Sequence, residues 1–267
     1  MVPAAVRARL ALALDVDDLQ AGVALARALS PWFGVAKVGL ELFSAAGPAA
    51  IMALVAEDLA VFVDLKLHDI PTTVGRAATV LGAAGASYAT VHTAGGAAMV
   101  RAAVDGMAAG AAHAGHRPPC VLGVTVLTSE CRADPGVLRQ RTELAAAAGC
   151  GGVVCAAADL PVVRDVAPDL LAVVPGIRPA GADPNDQARA ATPAAAVAAG
   201  ASLLVIGRAV TAATDPAAAA DALALEVAGA IRSGDTASAH RRARATQGRP
   251  PLADARRERA DPPPGRR

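Results

Sequence analysis

The chain has 267 residues, of which 54% are hydrophobic and 18% charged, and its formal net charge is +1. A charge so close to balance builds no long-range field for a polyanion, and 2% aromatic content offers no stacking surface for bases, which excludes nucleic acid as the main partner. Much of the apolar content is Ala, and no run approaches the roughly 20 apolar residues that span a bilayer, so a membrane partner is not expected either.

Apolar runs of strand length recur at the spacing of one βα unit. In chain order they are Leu10–Val16, Gly34–Leu40, Val61–Leu67, Tyr88–Thr93, Val121–Leu127, Gly152–Cys155, Leu171–Ile177 and Ser202–Gly207. Each is followed by an Ala-rich stretch with Leu and Val at helical spacing, and continuous apolar runs are strands covered on both faces. Eight such units predict an α/β fold, a single-domain TIM-type (β/α)8 barrel. An open doubly wound sheet is the alternative. It is disfavoured because the first strand ends in Asp15-Val16-Asp17-Asp18, where a nucleotide-binding sheet carries a Gly-rich phosphate turn. Helix signals agree: Asp17 or Asp18 can cap the first helix, Pro71 lies in the first turn of the third, and Thr192-Pro193 opens the turns before strand eight.

The barrel is expected over residues 1–232. From Ser233 to the end of the chain, nine arginines, four acids and a Pro-Pro-Pro run give a formal +5, leaving −4 for the remainder. With almost no apolar periodicity, residues 233–267 read as a disordered, solvated basic tail. Cys120, Cys131, Cys150 and Cys155 have neither metal-ligand spacing nor the density of a disulfide scaffold, so they read as free thiols. The first residues also lack the basic, apolar and small-residue order of a secretory signal, and a cytoplasmic location is expected.

Barrel enzymes build their sites at the carboxyl ends of the strands, so polar residues that interrupt apolar runs there are the candidates. Asp15, Lys37, the segment from Asp64 to Asp69, and His92-Thr93 qualify. Asp64 and Lys66 stand two apart and share a strand face, the barrel interior, with Val63, Leu65 and Leu67 facing the helices. Charges there need partners, and Lys37 and Asp69 can complete an alternating network. A purely structural ion cluster is the bland reading; a site with used charges is the sharper one. His68 and His92, with Asp64, could form a metal site, but their spacing fits no standard arrangement and none is expected. The last two strands end in Pro175-Gly-Ile-Arg178 and Ile206-Gly207-Arg208, a setting in which barrels of this type hold phosphate. A small phosphorylated substrate is implied.

The run Val63-Asp-Leu-Lys-Leu-His-Asp-Ile-Pro-Thr-Thr-Val74 closely resembles the signature of the bacterial-type orotidine 5′-phosphate decarboxylase family. Weaker matches in the same order are Leu14-Asp15, Lys37-Val38-Gly39, Val126-Leu-Thr128-Ser129, Pro175-Gly-Ile-Arg178-Pro179, Asp186-Gln187 with Thr192-Pro193, and Ile206-Gly207-Arg208. The resemblance covers about residues 10–215; the tail lies outside it, and Ala156 departs from the family's usual Ser.

It implies decarboxylation of orotidine 5′-monophosphate to UMP, the last step of de novo pyrimidine synthesis, without metal or cofactor. Asp15 and Lys37 would hold the ribose hydroxyls, Thr128 would meet the pyrimidine, and Arg178, Gln187, Gly207 and Arg208 would grip the 5′-phosphate. Lys37, Asp64, Lys66 and Asp69 would form a charged tetrad in which Lys66 steadies the C6 carbanion and protonates it. Asp69 and Thr73 would reach into the partner's site of a homodimer. A metal-dependent decarboxylase or aldolase acting on a sugar phosphate shares an Asp-x-Lys-x-x-Asp pattern and stays open at this point, as does a barrel that binds a nucleotide without turning it over.

Overall fold

A computed structural model describes residues 2–130, 132–179 and 189–247, with side chains described as far as Ser233. Eight parallel strands close in sequence order: β1 (Leu10–Leu14), β2 (Val35–Val38), β3 (Ala60–Leu67), β4 (Tyr88–His92), β5 (Cys120–Val124), β6 (Gly152–Val154), β7 (Leu171–Val174) and β8 (Leu203–Ile206), with β8 bonded back to β1. Helices fill the connections, which is the α/β barrel that the eight apolar runs predict.

The strands lack polar alternation because both of their faces are buried. Ala11, Ala13, Val35, Phe62, Leu122, Val124, Val154, Val173, Leu203 and Val205 pack inside the barrel, while Leu10, Leu12, Leu14, Val38, Val61 and Val63 pack outward against the helices. The sequence runs overshoot several carboxyl ends, where Val126 and Ile177 stay buried past the ends of β5 and β7.

Local chemistry explains where the helices begin. Of the two candidate caps it is Asp18 that acts, its Oδ1 accepting the Ala21 N–H at 2.7 Å. Pro71 is the first residue of the helix Pro71–Ala83, and Thr192 caps Pro193–Ala198 through the Ala195 N–H at 3.2 Å. Glycine permits one close approach: a Cβ at Gly82, Gly106 or Gly110 would run into the carbonyl of Met107, Gly75 or Thr79, so Pro71–Ala83 and Ala97–His113 pack backbone to backbone.

The compact barrel unit is Met1–Ile231, and Arg232–Arg267 forms a second unit. The last helix is Pro216–Gln247, so it runs on past Ser233 into the stretch read as a tail. A helix already nucleated by its earlier turns can extend without an apolar stripe of its own. Residues 248–267 lie outside the described residues. No helix among the described residues is long and apolar enough to cross a membrane.

Candidate active site

The carboxyl ends of the strands open into a cavity of about 250 Å³. Its floor is the top of the interior layer: Ala13 from β1, Phe62 from β3, Val124 from β5, Val154 from β6 and Val205 from β8. Charged groups then rise from individual strands above this apolar floor.

Lys37, opposite Ala13 and Phe62 in the ladder, is almost fully buried, and its Nζ donates to Asp15 Oδ1 at 3.1 Å just past the end of β1. Gly39 leaves room for this pair, since a Cβ there would lie 3.0 Å from Lys37 Nζ and 3.2 Å from Asp15 Oδ1. From β3, Lys66 Nζ donates to Asp64 Oδ1 at 2.9 Å. The four groups thus stand as two ion pairs.

The geometry of β3 is not a regular ladder. Val63 pairs with Ala89, and the next partners are Leu67 and Val91, so β3 carries two more residues than β4 over this stretch. Lys66 sits in that bulge at φ 51°, the left-handed region, which L-residues occupy only when their surroundings hold them there. Thr90 does the holding: its Oγ1 accepts the Lys66 backbone N–H at 2.8 Å and donates to Asp64 Oδ1 at 3.1 Å. Sequence reasoning missed Thr90. Its signal was a small polar residue at the centre of β4, on the same interior parity as His92.

On the far side, Pro175, Gly176 and Arg178 line the cavity after β7, and Gly207 and Arg208 after β8. Arg178 is buried, with Nη1 donating to the Ile177 carbonyl at 2.9 Å, while its Nε has no partner among the described residues. A buried guanidinium with an unspent donor beside a cavity suits an anionic ligand.

Asp15, Lys37, Asp64, Lys66, Thr128, Arg178, Gly207 and Arg208 therefore surround one cavity. Asp69 and Thr73 do not line it. Asp69 is exposed, accepts the Ile70 N–H at 2.6 Å and makes no ion pair among the described residues. The network expected to run through Asp69 is not closed within one chain, because β3 ends at Leu67 and the segment after it turns outward. Gln187, like Asp186 and Cys131, lies outside the described residues.

His68 and His92 stack with centroids 5.4 Å apart. Burial, then the charges of His68, Arg141 and Lys66, push the His92 imidazole below its ordinary range, Glu130 opposing. Asp64, the third group of the metal reading, is engaged by Lys66 and Thr90. The three described thiols are disfavoured as nucleophiles: burial pushes Cys120 up to about 11, and Cys150 and Cys155 up to about 12. What the cavity can do is bind an anion at its Arg178 and Arg208 side while a fixed ammonium faces a second reacting group.

A family model described as orotidine 5′-phosphate decarboxylase / HUMPS family matches residues 8–223. A relative from Moorella thermoacetica, named orotidine 5′-phosphate decarboxylase, is 46% identical over 231 residues, covering 82% of this chain and 92% of its own. One of the same name from Anaeromyxobacter sp. (strain K) is 49% identical over 228 residues, covering 81% and 96%. Among solved structures, the orotidine 5′-phosphate decarboxylase of Lactobacillus acidophilus superposes with a TM-score of 0.69 at 35% identity, covering 82% of this chain and 98% of that one.

Proposed function

The chain belongs to the orotidine 5′-phosphate decarboxylase / HUMPS family, and on that premise we propose that it converts orotidine 5′-monophosphate to UMP and CO₂, the last step of pyrimidine nucleotide synthesis. The observation that carries the reading is the Lys66–Asp64 pair, held by Thr90 in a strained bulge and facing the same cavity as Arg178 and Arg208.

Breaking the bond between C6 and the carboxylate leaves the electron pair on C6, in the ring plane, where the π system cannot take it up. The charge must then be met by a fixed opposite charge. In this proposal the Lys66 ammonium faces C6, stabilises the developing anion and gives it a proton, while CO₂ leaves. Asp64, beside the departing carboxylate, disfavours the charged ground state. Asp15 and Lys37 hold the ribose, Thr128 meets the pyrimidine, and Arg178, Gly207 and Arg208 hold the phosphate together with Gln187. The reading routes no step through a metal or cofactor. The barrel, residues 1–232, is the catalytic domain.

The proposal includes a cytoplasmic homodimer in which Asp69 and Thr73 enter the partner's cavity. Support comes from the exposed Asp69 carboxylate and from the next residue, Ile70, whose apolar side chain is 65% exposed. Free, buried Cys150 and Cys155 accord with a reducing compartment.

The test is the loss of substrate ultraviolet absorbance in excess chelator. Full turnover is expected; turnover that vanishes and returns with Mg²⁺ would favour the sugar-phosphate reading. For the dimer, Lys66→Ala and Asp69→Asn chains, each inactive alone, should regain activity on mixing, because a mixed dimer restores one intact site. Mixtures that stay inactive would refute sharing.

A further inference from the structure

Arg189 is absent from the cavity wall, yet three cavity loops meet on it. Its Nη1 donates to Asp159 Oδ1 at 2.6 Å, and its Nη2 to the carbonyl of Leu127, the residue before Thr128, at 3.1 Å. Asp159 Oδ2 accepts the Ala156 N–H at 3.2 Å, which ties down the turn after β6. Two residues beyond Arg189, Ala191 bridges to the loop after β7: the Arg178 N–H donates to its carbonyl at 2.9 Å, and its own N–H donates to the Gly176 carbonyl at 3.2 Å. One guanidinium therefore spans the loop that carries Thr128, the turn after β6 and the strand-like segment that pins Arg178.

The pair is deeply placed, with side chains 8% and 6% exposed for Arg189 and Asp159. A buried ion pair seldom stabilises a fold more than apolar residues of the same volume would. It does fix geometry, because a forked cation whose two Nη groups are held by a carboxylate and a carbonyl has one good position, although its buried Nε finds no partner among the described residues.

We propose that Arg189, oriented by Asp159, is a positioning residue that holds the pyrimidine-side and phosphate-side loops of the cavity at one spacing, so that phosphate captured at Arg178 is registered at Thr128. This rests on the assignment of the cavity to a pyrimidine nucleotide. It predicts that the residue matters for ligands that bridge both loops and little for those that touch one.

The experiment compares the parent with Asp159→Leu/Arg189→Met, which removes both charges together and so leaves no orphan ion. Affinities for UMP and for uridine are measured by calorimetry or competition, with urea unfolding as the control. The expected result is a urea midpoint near the parent's, UMP binding weakened about tenfold, as sub-ångström misplacement of binding groups commonly causes, and uridine binding changed less than twofold. Should the double variant not fold, Arg189→Lys carries the same ratio, since it keeps the buried charge but cannot span Asp159 and Leu127. Equal weakening of UMP and uridine, or no weakening in a folded variant, overturns the proposal. A parent that binds UMP without decarboxylating sinks the catalytic reading and leaves the UMP-to-uridine ratio to judge Arg189; a parent that binds neither overturns both.

Discussion

Lys66→Ala isolates the electrostatic step. A cation about 4 Å from a developing anion, in surroundings with an effective dielectric near 20, stabilises it by about 4 kcal/mol, roughly 10³ in rate. Loss of the proton donor adds a factor of about 10²–10⁴, so kcat should fall by about 10⁵ or more. The scaffold should survive. Asp64 keeps its hydrogen bond from Thr90 at 3.1 Å, and the left-handed backbone at φ 51° suits Ala no worse than Lys. Orotidine 5′-monophosphate should bind more weakly, because its carboxylate then faces Asp64 without the ammonium between them. UMP has no such carboxylate and serves as the control: its affinity should stay within about threefold, well under 1 kcal/mol. Turnover is followed by ultraviolet absorbance and UMP binding by calorimetry. A folded variant whose kcat stays within about 100-fold of the parent, or whose UMP affinity falls in step with kcat, refutes the assignment, since either leaves no contribution specific to the transition state.

Lys66→Gly should be more stable than Lys66→Ala by about 1 kcal/mol in urea unfolding, because glycine occupies the left-handed region without penalty; equal midpoints would show the bulge is not strained. Gly39→Ala has an ordinary φ of −86° but sets a Cβ 3.0 Å from Lys37 Nζ, so KM should rise about tenfold with kcat little changed, as loss of uniform binding requires; an unchanged KM would remove Lys37 and Asp15 from the ribose site. His92 is held below its ordinary range, so the unfolded chain takes up its proton at a higher pH than the folded one. Stability should therefore fall as pH drops through the unfolded value near 6.5 and level off below the folded value, and His92→Asn should flatten that part of the urea-midpoint profile. Cys120, Cys150 and Cys155, pushed up to between about 11 and about 12, should resist iodoacetamide at pH 8 in the native protein, and rapid native labelling mapped by mass spectrometry would contradict their burial.

The barrel was legible because burial on both faces erases polar alternation. A strand such as Leu10–Leu14 then reads as an unbroken apolar run, and the polar residues that interrupt such runs near their ends mark the mouth. That reasoning found Asp15, Lys37, Asp64, Lys66, Arg178 and Arg208 at one cavity. After Ser233 the helix Pro216–Gln247 runs on through a stretch with no apolar stripe, so periodicity gives no sign of it. It could not find Arg189 or Asp159 either, because a guanidinium that reaches back to Leu127 across 62 positions leaves no periodic trace.

Asp64 and Lys66 line the same cavity although β3 is not a regular ladder between them. A single extra residue in that strand would have turned Lys66 toward the helices, since each one-residue slip exchanges the two faces. The strand instead carries two extra residues between its pairings to Ala89 and Val91, and an even insertion preserves parity. The same insertion frees the Lys66 N–H from the ladder, so that Thr90 can take it and, through its own hydroxyl proton, orient Asp64. The bulge is thus what turns a two-residue spacing into a fixed ammonium–carboxylate pair. Thr90→Val tests that step, because it keeps the volume while removing the acceptor and the donor at once. If Lys66 and Asp64 keep their spacing unaided, kcat should hold. If the hydroxyl sets it, kcat should fall about tenfold or more with UMP affinity retained, as expected when a reacting group is displaced by a fraction of an ångström.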